Sequence, residues 1–219
     1  RRVHACGTRS GRDRLVMRRW GVALAMALAA AAATEAASRF IGARFADRPR
    51  APDLLHSLLP HIPEASYVTL GALGVALVLF AIYCARHGRD CMPEFIALVA
   101  LMYLLRAGIS ILTPLAIPRD SAVLSFPLFG NVLFPSGHTA LAYLLTRLTD
   151  RVRAPRLRAA QTWLLGTIVV TMLLSRGHYS IDIAGGLLLA YFVSSEWAEG
   201  RLFGWVRRLV AAEAPGTAA

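Results

Sequence analysis

Two short segments of the chain hold residue types able to make and break bonds to phosphorus: FPSGHTA, Phe134 to Ala140, and SRGHYSIDIAGG, Ser175 to Gly186. His178 and Asp182 are four residues apart, a spacing that stacks them on one face of a helix. The carboxylate can then hold one imidazole nitrogen while the other attacks an electrophile. In the first segment, Pro135, Ser136 and Gly137 are turn and helix-start residues. They predict His138 in the first turn of a helix, where backbone N–H groups and the helix dipole favour an anion such as phosphate. Ser136 and Gly137 are therefore candidate phosphate-binding positions.

The elements that must position these residues are membrane helices. The chain has 219 residues, is 56% apolar and has a mean hydropathy of +0.52, leaving too few polar residues to cover a water-soluble surface of this size. Several apolar runs approach the roughly 20 residues that cross a hydrocarbon core of about 30 Å. They lie near Trp20 to Ser38, Ser66 to Ala85, Phe95 to Leu115, Phe134 to Thr146, Ala160 to Leu174 and Ile181 to Trp197. The expectation is an all-α, polytopic integral membrane protein with a six-helix bundle. On that plan His138 and His178 both sit at one end of their spans, and Asp182 is the only Asp inside any span. Ionisable residues inside a membrane are expensive enough to mark function by default. Arg106, the one basic residue within a span, is a candidate phosphate clamp or partner for Asp182. Arg176, two residues before His178, is placed to neutralise a phosphate oxygen. Tyr179 and Ser180 are weaker candidates, because aromatic and hydroxyl residues are common at bilayer interfaces.

The formal charge of +11 does not indicate nucleic acid, because the basic residues form no single patch with interleaved aromatics. All 24 basic residues are Arg, and on the six-span plan most lie at the termini and in the loops after spans two and four. Arg151, Arg153, Arg156 and Arg158 dominate the fourth loop. The positive-inside rule then places both termini in the cytoplasm and both histidine segments on the outer, periplasmic side of a cell inner membrane. Cys6, Cys84 and Cys91 show neither metal-ligand nor redox spacing and are given no role. The two histidines and one carboxylate lack the Cys or acidic cluster of a catalytic metal centre, so no metal and no other cofactor is expected. Nothing in the sequence sets an oligomeric state.

Residues 1–16 are polar, basic and irregular, and Met17 followed by Arg18 and Arg19 resembles a start. They are read as an extension that is non-native or disordered, with residues 17–209 as the membrane catalytic domain and 210–219 as a flexible tail. The run Ala23 to Ala37 also fits the apolar part of a cleaved signal peptide. Between spans one and two, Pro49, Pro52, Pro60 and Pro63 break regular helix while Leu54, Leu55, Leu58 and Leu59 stay apolar, which predicts an interfacial segment. His56 and His61 within it read as solvated interface residues, since no carboxylate or Cys partner has ligand spacing.

PSGHT and the His-x-x-x-Asp of HYSID resemble the second and third signature motifs of the type 2 phosphatidic acid phosphatase superfamily. Within it the likeness is closer to sphingomyelin synthases, on HYSIDI, SGHT, the Arg106 stretch LRAGISILTPLAIP and the proline-rich PDLL. The resemblance implies that His178 is a nucleophile forming a phosphohistidine, Asp182 its orienting partner and His138 the acid that protonates the departing oxygen. It also implies membrane lipids as substrates, with a phospho-head-group moved from a glycerophospholipid to a lipid alcohol such as ceramide or diacylglycerol. A lipid phosphate or pyrophosphate phosphatase, transferring to water, shares the triad. The phosphatase branch carries a Lys-containing motif, and this chain contains no lysine. Relative to the synthases, Pro135 is an added residue and Asn131 stands where an acidic residue is usual. A non-enzymatic lipid transporter would have no need of His138, His178 and Asp182 together.

Overall fold

The computed structural model describes residues 9–87, 91–118, 121, 131–151 and 154–211. Among these residues every regular element is a helix. In chain order they are α1 (Arg9–Arg44), α2 (Leu54–Leu58), α3 (Ala65–His87), α4 (Cys91–Leu112), α5 (Gly137–Arg151), α6 (Pro155–Leu174), α7 (Ser180–Glu199) and α8 (Gly204–Val210). Helical backbone thus begins ahead of Met17, at Arg9. Cys6 and the end of the tail lie outside the described residues, as do Arg119 and Arg153.

Local chemistry sets the helix ends. Asp53 caps α2, its Oδ1 accepting from the backbone of Leu55 and His56. α6 starts on Pro155, where a missing N–H costs nothing. α7 ends at Gly200 in the left-handed region (φ 69°), whose N–H reaches Glu196 O. α4 stops at Leu112, short of the expected Leu115, because Pro114 disfavours helix at the residue before it.

Four helices are long and apolar enough to cross a membrane: Arg14–Arg44, Ala65–Arg86, Met92–Leu112 and Pro155–Leu174. The protein is accordingly an integral membrane protein. α5 and α7, expected as spans four and six, do not join these four. α5 has 15 residues, about 22 Å of helix, because Phe134 to Ser136 form the loop ahead of it. α7 has 20 residues but encloses Asp182, Ser194 and Glu196. α5 lies inside the bundle, with Ala140, Ala142, Leu144 and Leu145 buried; α7 buries one face through Ala190, Val193 and Trp197 and leaves Ile181, Leu188, Tyr191 and Phe192 exposed on the other. Polar groups turned inward lower the hydropathy of an inner helix without exposing anything polar to lipid.

The outer surface is apolar, with Leu28, Val78, Trp163, Val170 and Leu188 all exposed, as a bilayer solvent requires. Within it α1 packs on α4, α3 and α5 on α6, and α5 on α7. Polar bridges tie α3 to α6: Thr69 and Thr171 hydroxyls are 2.7 Å apart, and Gln161 Nε2 donates to Ala76 O at 2.8 Å.

Candidate active site

The carboxyl ends of α4 and α6 and the amino ends of α3, α5 and α7 meet at one end of the bundle, and both histidine segments lie there. Asp182 stands in the first turn of α7 and is fully buried. Its Oδ2 accepts from Tyr179 N at 2.9 Å and faces His178 Nδ1 at 3.4 Å. A carboxylate only accepts, so Nδ1 is the donor of this pair, and in the neutral ring that tautomer leaves the lone pair on Nε2. His178 is itself buried, and the ring of His138, in the first turn of α5, stands edge-on to it with centroids 5.8 Å apart. A small cavity beside the two rings is lined also by Ser66, Thr69, Ser175 and Gly177.

The two motifs are stitched together through backbone. Ser136 N donates to Asp182 O at 2.9 Å, while Ser136 Oγ faces Thr139 N as the cap of α5. A Cβ on Gly186 would overlap Ser136 O and Thr139 Oγ1, and one on Gly185 would meet the Phe134 ring at 2.8 Å. Only glycines let α7 come this close to the loop that presents His138. Gly186→Ala is therefore expected to force α5 and α7 apart, costing roughly 1–3 kcal/mol and most of the activity. Gly166→Ala, at a position with nothing within 4 Å, should be harmless. Thermal unfolding of the two variants in detergent checks the contrast.

Arg106 is buried on α4, but two of its donors are directed at backbone. Nε donates to Pro135 O at 2.6 Å and Nη2 to Val132 O at 2.7 Å, and Ser110 Oγ adds a bond to Phe134 O at 2.6 Å. Arg106 thus braces the loop that carries Ser136 and Gly137. Arg176 occupies the left-handed region at φ 52°. It closes α6 as the residue after the cap: its N–H reaches Leu173 O at 3.2 Å, and Gly177 N–H reaches Met172 O at 3.1 Å. A non-glycine residue there costs of order 1 kcal/mol. The Arg176 side chain reaches His56 O, Nη2 to O 3.1 Å.

That contact belongs to a part of the site the sequence reading passed over. His56, expected to be a solvated interface residue, is half-buried against the His178 turn: its Nε2 lies 3.0 Å from His178 O, and its ring stacks on Tyr179 at 6.0 Å. Asp53 Oδ2 accepts from Ser180 N, placing a negative charge at the amino end of α7. Burial alone would raise the Asp53 carboxyl, but the Ser180 N–H and nearby His56 outweigh it and hold it below its ordinary value of 3.8. The tie is therefore complete above that value and is lost as pH falls through the lower folded one. Tyr179 OH reaches Ala116 O at 3.1 Å and is buried; Ser180 acts through its backbone. The available signal for His56 was PDLLH itself, a capped turn beside an apolar run.

The family model for AtPDCT1/2 matches residues 52–198, more than half of the chain. The chain belongs to the AtPDCT1/2 family. That family is phosphatidylcholine:diacylglycerol cholinephosphotransferase-like, which makes the AtPDCT1/2 match one to lipid head-group transferases without singling out the sphingomyelin synthase branch. The matched stretch includes Asp53, His56, Arg106, His138, Arg176, His178 and Asp182. No curated protein matches the chain.

Proposed function

We propose that the protein moves a phospho-head-group from a glycerophospholipid to a lipid alcohol, ceramide or diacylglycerol, through a phosphohistidine on His178. The observation that carries this is the buried Asp182 carboxylate facing His178 Nδ1, with the His138 ring alongside. In the first half-reaction His178 Nε2 attacks phosphorus. The N–P bond forms, the P–O bond to the diacylglycerol breaks, and His138 gives its proton to the departing oxygen. In the second, His138 takes the proton of the acceptor hydroxyl, whose oxygen attacks phosphorus as the N–P bond breaks. Ser136 and Gly137 at the start of α5, with Arg176, would form the phosphate-binding surround, and Arg106 would act behind them by bracing their loop through Pro135 O and Val132 O. Lipid mass spectrometry of a host expressing the chain tests the reading. A new phospho-sphingolipid, or head-group exchange between diacylglycerol species, supports it; a depleted phosphatidate pool would mean transfer to water, and no change would overturn enzymatic transfer.

Six crossings with both termini cytoplasmic and the site on the outer side complete the proposal. The gathering of alternate helix ends around His138 and His178, and the arginine asymmetry, support it. In a background lacking Cys6, Cys84 and Cys91, a membrane-impermeant thiol reagent on intact cells should label Arg119→Cys and spare Arg153→Cys. The reverse pattern would invert the orientation.

A further inference from the structure

The connection between α1 and α3 crosses the very turn that carries His178. Ile62 N donates to Leu174 O at 2.8 Å, and Ala116 N donates to Pro49 O at 3.2 Å, so the connection is held at both ends. Between these anchors, Asp53 uses both carboxylate oxygens in different directions. Oδ1 caps α2 and so fixes His56, while Oδ2 holds Ser180 N. His56 then completes a closed circuit. Its Nε2 faces His178 O, its ring covers Tyr179, and its own carbonyl receives Arg176 Nη2.

A carbonyl only accepts, so His56 Nε2 carries a proton and donates to it. Residues 176, 178, 179 and 180 are thus all gripped by one segment more than a hundred residues away in sequence. The turn itself needs such a grip. Arg176 lies in the left-handed region, and the 3.4 Å contact of His178 Nδ1 with Asp182 is long for a hydrogen bond, so that contact alone constrains the ring weakly.

We propose that Asp53 and His56 are positioning residues: together they hold the His178 carbonyl and the Ser180 N–H so that the His178 ring stays aligned between Asp182 and the substrate phosphorus. The inference rests on the reading of His178 as the nucleophile. A misalignment of about 1 Å costs on the order of a hundredfold in rate, and the loss falls on the chemical step rather than on lipid binding.

The test uses the full-length protein in nanodiscs and two independent readouts. The first is transfer from a fluorescent-head-group phospholipid, separated into kcat and KM. The second is the rate at which diethyl pyrocarbonate modifies His178 at neutral pH, followed by peptide mass spectrometry, which requires no turnover. His56→Phe keeps a ring over Tyr179 and removes the donor; His56→Gln restores a donor. Expected for His56→Phe is a fall in kcat of about tenfold to a hundredfold, an unchanged KM and a changed rate of His178 modification, with His56→Gln recovering most of both. Should His56→Phe fail to fold, Asp53→Asn, which keeps the Oδ1 cap and puts an Nδ2 donor where Oδ2 accepts from Ser180 N, replaces it with the same expected fall in kcat and changed rate of His178 modification. Wild-type kcat and wild-type modification in these variants would overturn the inference, as would a His56→Gln variant no better than His56→Phe. If the native protein shows no transfer while His178 modification still responds to His56, the proposed reaction fails and the positioning role stands.

Discussion

Replacing His178 with alanine is expected to reduce head-group transfer on the order of 10⁴-fold or more and to leave no covalent adduct, because on the proposed mechanism the atom that bonds to phosphorus is gone. The fold should persist: apart from its ring's contact with Asp182, His178 makes its neighbouring bond through its backbone carbonyl, which alanine retains. His138→Ala separates the second role. It should slow expulsion of the lipid alcohol, so a nitrophenyl phosphodiester, whose leaving group needs no proton, should recover part of the rate. The measurement is rapid quench with head-group-labelled lipid, then mapping of the acid-labile label. Label on the peptide containing His138 in place of His178 would reverse the two assignments. A rapid-quench experiment with no label on either peptide would favour direct displacement by the acceptor.

The second large effect is expected of Asp182→Asn. Both bonds to the side chain converge on Oδ2, from Tyr179 N and His178 Nδ1, and Oδ1 has no hydrogen-bond partner among the described residues. An asparagine with its oxygen in the Oδ2 position keeps this shape, puts its NH2 where the unpartnered Oδ1 stands, and loses the charge that on the proposed mechanism stabilises the imidazolium developing at His178. The expected result is a folded protein slowed by about 10²- to 10⁴-fold. Thermal unfolding within a few degrees of the native protein, with an initial rate so reduced, is the supporting pair of results. A native rate would remove Asp182 from the chemistry. If instead the thermal transition collapsed, the Tyr179 N–H cap of α7 would be the residue's main service.

What the sequence by itself determined is what short range dictates. Apolar runs of near-membrane length become helices because lipid leaves the backbone no other partner, and α1, α3, α4 and α6 follow. His178 faces Asp182 because a spacing of four across a helix start brings that pair together, and His138 stands in the first turn of α5 because Pro135 and Ser136 form the loop and cap ahead of it and Gly137 begins the helix. α5 and α7 carry a weaker span signal: α5 is short and enclosed, and α7 turns Asp182, Ser194 and Glu196 inward while only its other face, with Leu188 and Phe192, is apolar and exposed. The bracing of the His138 loop by Arg106 was hidden for a different reason. A guanidinium in an apolar run advertises a buried partner, yet it cannot say whether that partner is a phosphate, a carboxylate or, as here, the carbonyls of Val132 and Pro135. The demand for Gly186 was also invisible, since it comes from Ser136 O in the loop before α5 and Thr139 Oγ1 in its first turn. Above all, nothing near Asp53 or His56 in the chain reveals that they meet Ser180 and His178. Those contacts exist only once α3 and α6 have packed side by side and laid the loop across the turn, because hydrogen bonds between distant segments are selected by the whole packing and leave no periodicity in the residues that make them.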